Sequence, residues 1–182
     1  MGKNKKTNYD ESKQKDSIRQ KYEEFGVDNY YKNNANTYGN PHIEIIHSLV
    51  NDIISDLRGL KLLDLCCGTG EITNILHDEN IKGLDPYTFE VYMQRTNKYC
   101  YPFSFKDIAM GKLTENFDVI ICSFGLHLCE KSLLPVVLWQ LSRISDILIV
   151  ITPNKNPDCS KSEWVLLDEK IKDRVRLRIY QH

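Results

Sequence analysis

The chain lacks a strong charge of either sign: 24 basic and 25 acidic side chains leave a formal net charge of −1. A molecule so balanced carries no overall electrostatic signature for nucleic acid or for an anionic membrane surface. It also lacks an apolar run of spanning length, and its opening stretch, Met1 to Asp16, lacks the apolar core of a signal peptide. These absences predict a cytoplasmic protein, with a nuclear location left open by the basic stretch Lys3 to Lys6. The six cysteines, at 66, 67, 100, 122, 129 and 159, include no Cys-x-x-Cys pair. That spacing argues against zinc and redox motifs, and Cys122, His127 and Cys129 want a good fourth ligand. A reduced chain with no metal is expected.

What is present suffices for one domain with a real core: 182 residues, of which 41% are hydrophobic. Residues 1–24 are polar and mixed in charge and read as a disordered tail or a frayed helix. The domain proper is expected over 25–182. Within 25–40, the stretch Phe25 to Tyr38 sets aromatic rings among asparagines, and reads either as a surface loop or as a lid. Residues 41–58 form the first convincing helix. Asn40 caps it, Pro41 sits in its first turn, and Ile43, Ile46, Leu49, Val50, Ile53 and Leu57 recur at helical spacing.

The chain is organised around Lys61 to Tyr87. Leu62 to Leu65 reads as a short buried strand, Gly68-Thr69-Gly70 as a tight turn, Glu71 to His77 as a helix start, and Ile81 to Leu84 as a second strand. Asp85 closes the unit 21 residues after Asp64. Strand, glycine turn, helix, strand and acid make the usual beginning of a nucleotide-binding α/β sheet. Gly68 and Gly70 would leave room for a ligand and expose amide N–H groups to it, and Asp85 would accept the hydroxyl protons of a ribose. A dinucleotide site wants a third glycine beneath the pyrophosphate, and Thr73 stands there instead.

LLDLCCGTG, followed by Asp85, resembles the first motif of the class I S-adenosylmethionine-dependent methyltransferases. The resemblance covers roughly Pro41 to Ile151 and implies a Rossmann-like, doubly wound, mostly parallel sheet with S-adenosyl-L-methionine as cofactor. It implies that Asp64 holds the methionyl end, that Cys66, Gly68 and Gly70 shape the floor, and that Asp85 and Pro86 meet the ribose. A helix over Thr88 to Lys98 and a third strand over Tyr101 to Phe105 bring Asp107 and Ile108 to the place where the family reads adenine. A fourth strand, Asn116 to Ser123, ends in Ser123 and Phe124, which the resemblance puts on the path to the methyl acceptor, with Tyr38 closing the pocket. His127 is the one catalytic candidate, as a general base or hydrogen-bond donor, and equally a helix cap. The Asn/Asp-Pro-Pro-aromatic motif of base-directed amino-methyltransferases is absent. Ser-Phe-x-Leu-His looks instead like methyltransferases of the ubiquinone/menaquinone type and like wobble-uridine tRNA methyltransferases.

The C-terminal third departs from the family. After a helix over Lys131 to Arg143 and a fifth strand over Ile147 to Ile151, the segment Thr152 to Ser162 is too short and broken for the helix expected there. Residues 163–182 read as an antiparallel hairpin turning at Lys172-Asp173, its last strand setting Arg174, Arg176 and Arg178 against apolar neighbours. That basic stripe suits an anionic partner or a solvated face. The expected whole is a monomeric methyltransferase whose acceptor is a small molecule in preference to tRNA or protein. Two other readings stand beside it: an NAD-type dehydrogenase, and a methyltransferase fold kept as a binding or scaffold subunit, possibly RNA-associated.

Overall fold

The structure, a computed structural model, describes residues 40–182. The expected tail (1–24) and the aromatic segment up to residue 39, Tyr38 included, lie outside the described residues. Seven strands form one sheet in the order β3-β2-β1-β4-β5-β7-β6. They are β1 (Leu62–Leu65), β2 (Ile81–Leu84), β3 (Cys100–Tyr101), β4 (Val119–Ser123), β5 (Ile147–Thr152), β6 (Val165–Lys172) and β7 (Val175–Gln181). The run from β3 to β5 is parallel, and β7 is antiparallel to both of its neighbours. Among the described residues six α-helices accompany the sheet: α1 (Ile43–Asn51), α2 (Ile54–Leu57), α3 (Glu71–Leu76), α4 (Phe89–Thr96), α5 (Phe105–Ala109) and α6 (Leu134–Ser142). This is the expected single α/β domain with a C-terminal antiparallel hairpin.

Alternation along the strands decides which core each side chain joins. Leu62, Val119, Ile121, Ile149 and Ile151 face one layer, packed with Ile46, Leu49 and Val50 of α1 and Ile72 and Ile75 of α3. Leu63, Leu65, Ile120, Cys122, Leu148 and Val150 face the other, with Val137, Leu138 and Leu141 of α6 and with Trp164. Because both faces are covered, the central strands read as continuous apolar runs. Strand order reverses between β1 and β4, which opens a crevice at their C-terminal ends.

Three boundaries differ most from expectation. The single helix predicted over 41–58 breaks at Asp52-Ile53 into α1 and α2. β3 stops at Tyr101, because Pro102 has no N–H for the ladder and Ser104 already caps a helix. The hairpin turns at Asp173-Arg174, both with left-handed φ (46° and 69°), the pairing a two-residue type I′ loop requires. So Arg174 belongs to the turn and not to a basic strand. Between β5 and β6 the described chain has only a 3₁₀ turn, Cys159–Lys161.

Arg178 does part of the work of the missing helix. It is 7% exposed, and its Nη1 donates to the carbonyls of Lys155 (2.9 Å) and Pro157 (3.2 Å) in that connection. Its Nε donates to Glu169 (2.7 Å), which also pairs with Arg176 at 3.1 Å. Two arginines of the predicted stripe are therefore neutralised within the hairpin.

Glycine is forced at Gly83 in β2 by close approach. A β-carbon there would stand 2.6 Å from the ring of the buried Tyr92 and 2.8 Å from Cys67 Sγ. We predict that Gly83→Ala lowers the unfolding free energy by about 1–3 kcal/mol, the usual cost of overpacking. Urea denaturation of the two proteins checks this.

Candidate active site

The crevice is a cavity of about 380 Å³ at the C-terminal ends of β1, β2 and β4. Its lining includes Asp64, Cys66, Gly68, Asp85, Pro86, Ser123 and Phe124 from the residues singled out in the sequence. Gly70, Asp107, Ile108 and His127 are not in the lining, and Tyr38 lies outside the described residues. The cavity also brings in Glu71, Tyr87, Phe103, Phe105, Leu128 and Leu133, among others sequence reasoning missed.

Asp64 sits at the floor with 1% of its surface exposed. Its Oδ2 accepts a hydrogen bond from Thr73 Oγ1 (2.9 Å), and that hydroxyl in turn is 2.8 Å from Tyr92 Oη. Burial, assisted by the nearby carboxylates of Glu71 and Asp85, pushes the Asp64 carboxyl up to about 7. The Asp85 carboxyl is also raised by burial, although its Oδ1 accepts from the backbone N–H groups of Tyr87 (2.8 Å) and Thr88 (3.0 Å). Glu71 turns back over the glycine loop, accepting from Thr69 N–H (3.2 Å) and from Thr69 Oγ1 (3.1 Å). Asp64, Glu71 and Asp85 thus line one cavity together with a fourth acid, Glu130, with Lys106, and with walls that are largely phenylalanine, leucine and proline.

The glycine loop works differently from the sequence-based expectation. Its amides are engaged inside the protein: Gly70 N–H bonds to Cys67 O at 3.0 Å, and Thr69 N–H is taken by Glu71. Gly70 itself is required by a left-handed φ of 99° and by α4, since a β-carbon would lie 2.5 Å from Thr96 Cγ2. It fixes the helix packing and does not touch the cavity.

Asp107 and Ile108 are placed otherwise than expected. Because β3 ends early, the segment reaching the cavity is Phe103 to Lys106. Asp107 closes a capping box at the start of α5, accepting from Ser104 N–H (2.9 Å) and Ser104 Oγ (2.6 Å) and pairing with Lys112 at 2.5 Å. Lys112 and Ser104 hold its carboxyl well below the ordinary range. Ile108 is 1% exposed in the core, and its N–H bonds to Ser104 O at 3.0 Å within the helix. His127 lies beside the cavity on a 3₁₀ turn, Leu126–Leu128, with its neighbour Leu128 in the lining. Its Nδ1 is buried without a hydrogen-bond partner, and burial lowers its pKa.

Two cavity residues hold left-handed backbone without being glycine, Cys66 (φ 59°) and Phe124 (φ 56°). They directly follow β1 and β4, and such strain collects at functional sites. Phe124 stacks on His42, ring centroids 5.3 Å apart, and its N–H bonds to Ile151 O at 2.8 Å. The hydrogen bond with Cys122, and then burial, push the Cys66 thiol up, so it stays protonated and serves as wall. Among the described residues no group of three or more potential metal ligands occurs.

The architecture is that of the class I S-adenosylmethionine-dependent methyltransferases. A magnesium protoporphyrin IX methyltransferase of Synechocystis, crystallised with S-adenosylhomocysteine, superposes with a TM-score of 0.65 at 15% identity, covering 91% of this chain and 98% of that one. The N-methyltransferase NodS of Bradyrhizobium japonicum, also with S-adenosylhomocysteine, gives 0.62 at 13% identity over 90% of this chain and 97% of that one. A putative RNA methyltransferase of Pyrococcus horikoshii gives 0.58 at 12% over 81% and 87%. No family model matches the sequence. The chain belongs to one family with a Schizosaccharomyces pombe protein described as uncharacterized, 30% identical to it over 196 aligned positions that cover 81% of this chain and 78% of that one.

The buried carboxyl of Asp64 gives a pH signature. Its pKa is raised on folding from 3.8 to about 7, so the stability associated with it is full below about pH 4 and is lost as pH rises through 7. Asp64→Asn keeps an acceptor for Thr73 and removes the ionisation. The variant should match the wild type at pH 4 and exceed it by about 1–3 kcal/mol at pH 8. Paired denaturation curves at the two pH values measure the difference.

Proposed function

We propose that the protein binds S-adenosyl-L-methionine in this cavity and transfers its methyl group to an acceptor entering past Phe124 and Leu128. The observation that carries the reading is the trio Asp64, Glu71 and Asp85, with Glu130 as a fourth acid, in the lining of one largely apolar cavity. Three carboxylates favour a ligand with cationic centres, as a sulfonium and an ammonium are, and repel a pyrophosphate. Glu71 already occupies the loop amide that a phosphate would need, and Thr73, bonded to Asp64, stands where a third glycine would be. These features disfavour the dehydrogenase reading.

The residues present fit the cofactor. Asp85 would accept ribose hydroxyls, Asp64 and Glu71 would face the methionyl end, and Pro86, Phe103 and Phe105 would cover the adenine. When bound, the cofactor supplies an already activated methyl group, so the protein's task is mainly orientation and exclusion of water. Asp64 is restrained by Thr73, and the strained backbones of Cys66 and Phe124 follow the neighbouring ends of β1 and β4 at the cavity. His127, outside the lining, has no assigned step. A small acceptor is favoured over RNA because Arg176 and Arg178, two of the three arginines of the stripe, are committed to Glu169. The non-catalytic binding subunit is the second reading, favoured by a cavity lining that contains no histidine among the described residues.

Calorimetric titration tests the proposal. S-adenosylmethionine and S-adenosylhomocysteine should bind while NAD should not, and Asp85→Ala should weaken binding by about 10–100-fold, the loss of charge-assisted hydrogen bonds. Failure of both adenosyl ligands to bind the folded wild type would overturn it. Transfer of a labelled methyl group to a panel of small acceptors then separates the enzyme from a binding subunit.

A further inference from the structure

Strand β6 ends the sheet, with β7 on one side and, among the described residues, no strand on the other. Eight residues long, it exposes four large apolar side chains: Val165 at 62%, Leu166 at 42%, Leu167 at 54% and Ile171 at 55%. An outer strand of that length and character is a template for pairing with another strand. Its register against β7 sorts the side chains. Leu166, Glu169 and Ile171 oppose Tyr180, Arg178 and Arg176 and share one face, and an irregularity between Leu166 and Asp168 inserts Leu167 beside them. Asp168, Lys170 and Lys172 oppose Ile179, Leu177 and Val175 on the other.

We propose that β6 is a self-association edge, pairing antiparallel with β6 of a second copy about a two-fold axis through Glu169. The occupant is a second copy because the strand is complementary to its own reverse. About that axis Asp168 of one copy meets Lys170 of the other, and Leu167 meets Ile171, each pair occurring twice. The two Glu169 residues at the axis do not repel strongly, since each carboxylate is turned onto Arg178 (2.7 Å) and Arg176 (3.1 Å) of its own chain. Other registers fare worse: moving the axis to Lys170 sets two lysines together, and moving it to Asp168 sets two aspartates together. The product is one continuous sheet running through both molecules, with the two cavities at separate places away from the joined edge. The proposal is independent of what the cavity binds.

The test is a charge swap read by light scattering on a sizing column, using the full chain at micromolar concentration. The wild type should run as a dimer. Asp168→Lys and Lys170→Asp should each weaken the dimer by at least about tenfold and shift it towards monomer. The double swap, which restores both cross-strand pairs, should return the dimer. Lys170 also lies 3.7 Å from Asp52 at the surface, so thermal melts of each variant confirm that folding is retained. A monomeric wild type would overturn the proposal, and the edge would then belong to the preceding residues 1–39 or to another protein. A dimer indifferent to both single swaps would overturn it too, by placing the contact on another face.

Discussion

Three buried polar side chains beneath the cavity hold the functional half of this molecule together. Asp64 ends in β1, Thr73 lies on α3 and Tyr92 on α4, and their hydrogen bonds join these three elements end to end. Each is at most 4% exposed, so removing any one would leave a buried partner unsatisfied. The chain sets how far α3 stands from the sheet. It also seats the Tyr92 ring against Gly83, which is why β2 carries glycine there. Cys66 to Gly70, spanned between β1 and α3, takes its shape from the same arrangement.

The electrostatics of the cavity follow from that geometry. A carboxylate held away from water keeps its proton up to about pH 7 unless a cation joins it. Glu71 and Asp85 add to the demand, and no lysine or arginine except Lys106 reaches the lining among the described residues. The result is a site whose polar half asks for positive charge and whose apolar half offers flat contact surface. A loop that spends its own amides on Cys67 and Glu71 does not offer them to phosphate. The fold is shared with many methyltransferases, whereas this distribution of charge belongs to the residues of this chain.

Much of this was legible in the sequence where pattern and physics agree. β1, β2, β4 and β5 are apolar runs bounded by turn residues, and their registers follow from layers that bury both faces. The first two acids of the site, Asp64 and Asp85, could be found because Asp64 lies one residue before the end of β1 and Asp85 directly follows β2. Asp107 could not be placed by that rule, since Ser104-Phe-Lys-Asp107 is also a capping box and the box won, shortening β3 and handing the cavity to Phe103 and Phe105. Glu71 was missed although it directly follows the glycine turn, because its role depends on a side chain folding backwards onto Thr69. His127 was placed by the resemblance alone, and the 3₁₀ turn carries its ring out of the lining. The arginine stripe misled for a tertiary reason: Glu169, from the neighbouring strand, neutralises two of its members, and Arg178 is spent on the carbonyls of a loop where a helix was missing.

The central claim is that the Asp64 carboxylate favours a cationic ligand, and the pH dependence of binding tests it most directly. Titration of S-adenosylmethionine into the protein between pH 5 and pH 7.5 should show affinity rising about tenfold or more as Asp64 ionises, with proton release on binding, and Asp64→Asn should flatten the curve. Binding that is independent of pH, or that strengthens as pH falls, would contradict the account.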